Sequence, residues 1–178
     1  MGDPAGLPTL LETIEGIDEI DKGWHYKGMG QFGRNMSELD AYMVAAGRTG
    51  DKRATPAIIK KVNQLEPSHA FSHFRAVALA LEQLHDPAAA EPLAKLLQKE
   101  GIRGRALRDV GQAIERETKG SSWTATAPRA DSLRELMLAR ALVRCGDKDG
   151  LGRKILEEYA QDLRGHLARH AKAILASE

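Results

Sequence analysis

Residues 85–97, HDPAAAEPLAKLL, hold the pattern that decides the fold: an Asp after a small residue or His, followed by a run of helix-forming residues. The same start occurs at Gly2-Asp3, Gly50-Asp51 and Gly146-Asp147. Asp favours the first position of a helix because its carboxylate accepts hydrogen bonds from the free backbone N–H groups there. The helices then share an apolar triplet, which the fourth carries one residue later: Leu10, Leu11 and Ile14; Ile58, Ile59 and Val62; Leu93, Ala94 and Leu97; Ile155, Leu156 and Tyr159. Recurring units of this kind predict a helical solenoid, in which each unit buries its apolar face against its neighbours.

A second helix runs into each of the last three Asp starts. Ala45, Ala80 and Ala141 each stand six residues before the Asp, and a fixed Ala permits two helix backbones to approach closely. Each unit is therefore predicted to be a helix A that begins at the Asp, a turn, and a helix B that returns to the next Asp. The A helices are expected near 4–15, 54–65, 87–100 and 148–161, and the B helices near 37–48, 69–84, 130–144 and 165–177.

Two insertions, 16–36 and 101–129, separate an A helix from its B helix, and both should emerge from the same edge of the solenoid. They contain both Trp residues of the chain, Trp24 and Trp123. Apolar residues at helical spacing within 104–117 predict one additional short helix. A long loop with a large aromatic side chain is either held against its own solenoid or available to a partner.

Composition narrows the fold and function classes. The 178 residues suffice for a single domain, and the shortage of aromatic residues, 4%, suits packed helices better than sheets. A net charge of +1 gives no overall electrostatic case for membrane or nucleic-acid binding. The single Cys145 excludes an internal disulfide and is expected to be a packed, inert thiol. The abrupt start before Pro4 suggests an excised fragment of a larger protein, soluble and cytoplasmic unless a signal lies upstream.

The units predict an all-α fold, a right-handed α-α superhelix of about four repeats (3–50, 51–85, 86–146 and 147–178) with two long A–B insertions, as one domain over 1–178. This pattern resembles HEAT-like repeats. Residues 23–33, 47–54 and 159–166 resemble the C-terminal HEAT-like repeat region of bacterial FAD-dependent oxidoreductases. That resemblance implies a flavin-binding domain N-terminal to this chain, so no cofactor is expected within the chain itself.

Two motifs are candidates for chemistry. Gly28, Gly30 and Gly33 have the spacing of a dinucleotide-binding loop, but the polar residues before them cannot form the buried strand that this loop needs. A His-x-x-x-His-x-basic-Ala-apolar pattern occurs at 69–77 and again at 166–174. Its two His residues share one helix face, as metal ligands do, but no acidic third ligand is evident, and no metal site is predicted.

The His residues either bridge neighbouring repeats by hydrogen bonds or line a groove along the B helices. In the second interpretation a largely basic row could bind an acidic loop or a phosphate backbone. The candidate binding residues, with the two Trp side chains, are Arg34, His69, His73, Arg75, Arg134, His166, Arg169, His170, Lys172, Trp24 and Trp123. No catalytic residue is predicted.

Three functions follow from these observations. The preferred one is a non-catalytic docking domain of a bacterial FAD-dependent oxidoreductase, whose partner is another protein or a domain of the parent chain. The alternative is a stand-alone nucleic-acid-binding protein that resembles the HEAT-like alkylpurine DNA glycosylases. Against it, the row itself consists of Arg34, His69, His73, Arg134, His166 and His170. Only its two Arg residues are permanently charged, so nucleic acid is not the expected partner. A metal-dependent hydroxylase would need ligands that the sequence does not supply.

Overall fold

The computed structural model describes residues 4–21, 36–119 and 126–177, and over these residues the fold is all-α without strands. The helices are α1 (Leu7–Glu15), α2 (Glu38–Arg48), α3 (Thr55–Gln64), α4 (Phe71–Leu84), α5 (Ala90–Gln98), α6 (Val110–Lys119), α7 (Thr126–Arg144), α8 (Leu151–Tyr159) and α9 (Gly165–Ser177). A short 3-10 turn precedes each A helix: Pro4–Gly6, Lys52–Ala54, Pro87–Ala89 and Lys148–Gly150. All eight predicted A and B helices are present, within a few residues of the expected bounds.

The helices form two layers. In the B layer α2 packs on α4 and α4 packs on α7, while in the A layer α1 contacts α3 and α3 contacts α5. Each A helix also packs on the B helix that follows it, as α8 does on α9. The repeated triplets lie between the layers: Ile14, Ile58, Leu93 and Leu97 are buried, and so are Ile155, Leu156 and Tyr159. The all-α fold built of A/B units is confirmed.

The Asp residues act at the predicted positions, but on a different element. The carboxylates of Asp51 and Asp86 accept from the backbone N–H groups of Arg53, at 3.0 Å, and Ala88, at 3.1 Å. They therefore cap the 3-10 turn that leads into the A helix rather than the α-helix itself. Asp3 lies outside the described residues.

Asp147 also caps the start of an A helix, but with a different backbone conformation. It adopts a left-handed conformation, with φ of 47°, and its carboxylate reaches forward to the N–H of Gly152 at 2.6 Å and of Arg153 at 3.2 Å. These donors belong to the first turn of α8. The longer reach accompanies the one-residue displacement of the fourth apolar triplet that the sequence shows.

Two helices of the B layer, α2 and α4, approach each other very closely at one point. A Cβ atom built on Gly47 of α2 would lie 2.4 Å from the Cα of Ala80 in α4, a distance that no real side chain tolerates. Ala80 and Ala141 are fully buried, as the Ala row predicts, whereas Ala45 is only half-buried. The small residue of α2 at this contact is therefore Gly47, two positions later than the sequence pattern suggested.

The additional helix of the second insertion begins later than predicted, at Val110 rather than at residue 104. The N–H groups of Gly104 and Arg105 donate to the Glu135 carboxylate, and Gly104 has a φ of +83°. A backbone held this way cannot continue a right-handed helix, because its donors are used by a side chain and its φ has the wrong sign.

Replacing Ala80 by Leu should lower the free energy of unfolding by about 1–3 kcal/mol, because the added atoms must force α2 and α4 apart. Ala141→Leu should act in the same direction in α7. Ala173→Leu is the matched control, since Ala173 is exposed in α9. Urea unfolding of the three variants measures the difference, and equal losses in Ala80→Leu and Ala173→Leu would contradict the close contact.

Candidate functional site

The first His pair of the sequence pattern lies in a polar cluster between α2, α4 and the segment after α1. His73 is fully buried, with its Nδ1 2.7 Å from Asp40 Oδ1 and its Nε2 2.9 Å from Asp21 Oδ1. Asp40 is buried as well, and its second oxygen accepts from the N–H of Ser37 at 3.1 Å. His73 therefore joins the start of α2 to the loop that follows α1, which is the bridging role considered for these residues.

The two carboxylates set the charge of this imidazole. Burial by itself lowers the pKa of His73, but the hydrogen bonds and charges of Asp40 and then Asp21 outweigh burial, and the pKa is raised. With both ring nitrogens facing carboxylate oxygens, the doubly protonated ring is the form that satisfies both contacts.

His69 has a more local role. Its Nδ1 accepts from the backbone N–H of Glu66 at 2.8 Å, and its Nε2 lies 3.8 Å from Asp21 Oδ2. The acidic loop beside it forms the wall of a shallow cavity of about 360 Å³, lined by Asp18, Glu19, Ile20, Asp21, Gln64 and His69. Within the described residues no group of three or more His, Cys, Asp or Glu side chains has a geometry that could hold a metal ion.

Arg134 is buried where the second repeat (51–85) meets the third (86–146), instead of facing a groove. Its guanidinium donates to the carbonyl oxygens of Pro67 and Gly101, both at 2.9 Å, and its NH2 group lies 3.1 Å from Asp131 Oδ1. The guanidinium carbon also lies 4.9 Å from the centre of the Phe74 ring. This side chain clamps two loops of successive repeats.

A third polar cluster fixes the beginning of the second insertion. The buried carboxylate of Glu135 accepts from the N–H groups of Gly104 and Arg105, each at 2.8 Å, and from the Tyr159 hydroxyl at 2.9 Å. Burial, followed by the charge of Glu135, raises the pKa of Tyr159, so this phenol stays protonated and donates.

Asp162 and Arg164 extend the third cluster along the same segment. Asp162 accepts from the N–H of Leu107 at 2.9 Å, and Arg164 donates to the Arg105 carbonyl oxygen at 2.8 Å. Residues 104–107 of the second insertion are therefore held against the solenoid, whereas Val110 and Ile114 of α6 are exposed. The Trp123 side chain lies outside the described residues.

The remaining candidates are either exposed to solvent or outside the described residues. Those on α9 and Arg75 on α4 face solvent: Arg75, His166, Arg169, His170 and Lys172. Burial, followed by the charge of Arg140, lowers the pKa of His170. Arg34 and Trp24 lie outside the described residues. Because His73 and Arg134 are buried, the predicted row is not a continuous solvent-facing track, and a binding role remains a prediction for its exposed members.

A different row of the B layer is open to solvent. Arg48 and Gln83 are exposed and Arg144 is half-buried, and each stands three residues before the Asp that follows its helix. Val44, Leu79 and Arg140, seven residues before the same Asp residues, are half-buried. The sequence contains this signal, since counting back three and seven residues from each Asp selects the row. The His pattern instead selects His73, which is buried.

The single thiol of the chain is packed in the interior. Cys145 is 1% exposed, and burial raises its pKa to about 11, so the thiolate is scarce at neutral pH. The expectation of a packed thiol is confirmed.

Comparison with known families adds one finding. Residues 75–99 match the family model of the PBS lyase HEAT-like repeat. This stretch begins in α4, crosses the Asp86 turn and ends just after α5, so the match covers a B helix and the A helix that follows. It supports a HEAT-like repeat protein. No curated protein and no solved structure matches the chain. No described helix has both the length and the apolar character needed to cross a bilayer.

Stability should fall as the pH rises through the folded-state pKa of His73. A His whose pKa is raised on folding contributes stability that is complete below its unfolded pKa of about 6.5 and is lost above the folded value. Asp21→Asn removes one of the two carboxylates and should reduce this pH-dependent part of the unfolding free energy. Glu19→Gln, in the same loop, should leave it unchanged.

Urea unfolding at a series of pH values, together with an NMR titration of the His73 ring, measures both effects. Contributions of other groups, such as His170, cancel when parent and variant are compared at each pH. An unaltered slope in Asp21→Asn would show that Asp21 does not hold the imidazole charged.

Glu135→Gln should release the start of the second insertion while the helices remain folded. One carboxylate now accepts three hydrogen bonds, and an amide has only one oxygen to accept them, so about 1–3 kcal/mol of stability should be lost. Tyr159→Phe removes one of the three bonds and should cost less. Amide hydrogen exchange at Gly104 and Arg105 should accelerate more in Glu135→Gln than in Tyr159→Phe, and equal protection would contradict the assignment.

Proposed function

We propose that this chain is a non-catalytic docking domain, whose partner is another protein or a domain of the same parent chain. The supporting observation is that ionisable side chains in the interior of the described chain hold loops and helix starts in place. His73, Arg134 and Glu135 bind loops and helix starts, and the Cys145 thiol is buried. The contacts of His73, Arg134 and Glu135 fix loops and helix starts within the solenoid, which suits a rigid scaffold that presents a surface.

The parent chain is proposed to be a bacterial FAD-dependent oxidoreductase. The basis is the resemblance of residues 23–33, 47–54 and 159–166 to the C-terminal repeat region of such enzymes. The second of these stretches contains the end of α2 and the Asp51 turn, and the third contains the end of α8 and the start of α9. FAD would then bind to the N-terminal domain, and this chain would contribute a surface rather than a cofactor site.

A direct test begins with the reading frame upstream of residue 1. If that frame encodes a flavin-binding domain, the domain is expressed as a separate chain and titrated with this one by calorimetry. We expect a one-to-one complex with a dissociation constant of about 10⁻⁴ M or lower, because a linker supplies an effective concentration on the order of 10⁻³ M and docking within one chain needs no tighter intrinsic affinity. Lack of binding at about 10⁻³ M would contradict docking between them.

Nucleic-acid binding is the alternative function, and it is tested on the same protein. Fluorescence anisotropy with duplex and single-stranded DNA should give dissociation constants on the order of 10⁻⁴ M or weaker at physiological salt. The exposed pair Arg169 and Lys172 supplies the test variant, because Arg134 is buried and its loss would disturb the fold. A salt-sensitive constant below about 10⁻⁶ M that Arg169→Gln/Lys172→Gln weakens would favour the nucleic-acid alternative.

A further inference from the structure

The outer face of the B layer presents a surface that extends beyond the predicted candidates, of which Arg75 stands one turn before Leu79 on the same face of α4. Its members recur at matched positions of three successive helices: Val44 and Arg48 on α2, Leu79 and Gln83 on α4, and Arg140 and Arg144 on α7. Residues four apart lie on one face of a helix, and helices in contact are about 8–10 Å apart. These six residues, here termed the B-face row, therefore form two adjacent lines across α2, α4 and α7.

The B-face row carries an excess of positive charge. Arg140 and Arg144 both donate to Oε1 of Glu82, at 2.5 and 2.7 Å. Glu82 is 3% exposed, whereas the side chains of Arg140 and Arg144 are 30% and 24% exposed. Two guanidinium groups thus share one buried carboxylate, which orients them, and Arg48 adds a further exposed cation.

The same row carries apolar area beside its charge. Val44 and Leu79 are half-buried, and Met137, one turn before Arg140 on α7, is half-buried as well. Protein interfaces are enriched in Met and Arg, and apolar side chains flanked by oriented Arg groups fit a segment that alternates apolar and acidic residues. The positive charge of the row disfavours binding of a basic partner, because like charges repel.

We propose that the B-face row binds an acidic amphipathic helix of the protein partner. This inference rests on the docking function proposed above and specifies the chemistry of the docked segment. The apolar side chains of that helix lie over Val44, Leu79 and Met137, and its carboxylates face Arg48, Arg140 and Arg144. Electrostatic attraction sets the orientation, and burial of the apolar stripe holds the complex.

The test uses the full chain and a fluorescein-labelled synthetic helix with one Leu stripe and one Glu stripe. A second peptide with every Glu replaced by Gln controls for charge. The test variant is Arg48→Gln/Gln83→Glu, which alters two exposed side chains and retains Glu82, Arg140 and Arg144. The matched control is Arg153→Gln/Gln98→Glu, which makes the same change of charge on exposed positions of α8 and α5 in the A layer.

We expect the Glu peptide to bind in the micromolar range and the Gln peptide to bind at least about fivefold more weakly. Arg48→Gln/Gln83→Glu should weaken the Glu peptide by at least about fivefold, and Arg153→Gln/Gln98→Glu by less than about twofold. Absence of peptide binding at about 10⁻³ M, or equal loss in the two double variants, would overturn the proposal. Tighter binding of duplex DNA than of the peptide, weakened by Arg48→Gln/Gln83→Glu, would assign the row to phosphates instead.

The complex with the upstream domain separates this proposal from the docking function. If that complex forms and Arg48→Gln/Gln83→Glu leaves its affinity unchanged, docking stands and the B-face row is the wrong surface. If it forms and is weakened by this variant alone, both proposals are supported.

Discussion

The close approach of α2 to α4 at Gly47 and Ala80 constrains how the first two helices of the B layer can pack. At 2.4 Å from a hypothetical Cβ to the Ala80 Cα, the two backbones are in contact without side chains between them. Helices this close leave room for large residues only above and below the contact. On these two helices His73 is buried with a carboxylate at each ring nitrogen, whereas Arg48 lies on the outer face.

Carboxylates accept hydrogen bonds from backbone N–H groups that have no partner within a helix. Asp40, Asp147, Glu135 and Asp162 each accept from backbone N–H groups in turns or at helix starts. A buried N–H without a partner is costly, and a carboxylate can satisfy two or more at once. Irregular segments can therefore pack against the helices without pairing with them. This explains why residues 104–109 are not helical although their apolar spacing favours a helix.

Helix positions were accessible from the sequence because the period of apolar residues and the Asp turns are local signals. The triplet around Leu93 and the cap at Asp86 needed no knowledge of the rest of the chain. The buried clusters were not accessible in the same way, since His73 meets Asp40 and Asp21 from distant parts of the sequence. A His-x-x-x-His string looks identical whether its rings face solvent or carboxylates. The second copy, at His166 and His170, is exposed, so equal sequence patterns ended in opposite environments.

Cys145 gives the molecule a built-in reporter of its own opening. Its Sγ lies 3.5 Å from the Leu81 carbonyl oxygen, at the seam between α4 and α7, and it is the sole thiol of the chain. A thiol reagent can reach it only when the packing around the end of α7 opens, so the labelling rate equals the intrinsic rate of a free thiol scaled by the population of that opened form. The free energy of this opening can thus be read in buffer without denaturant, and a ligand that spans α4 and α7 would slow the labelling in proportion to its occupancy.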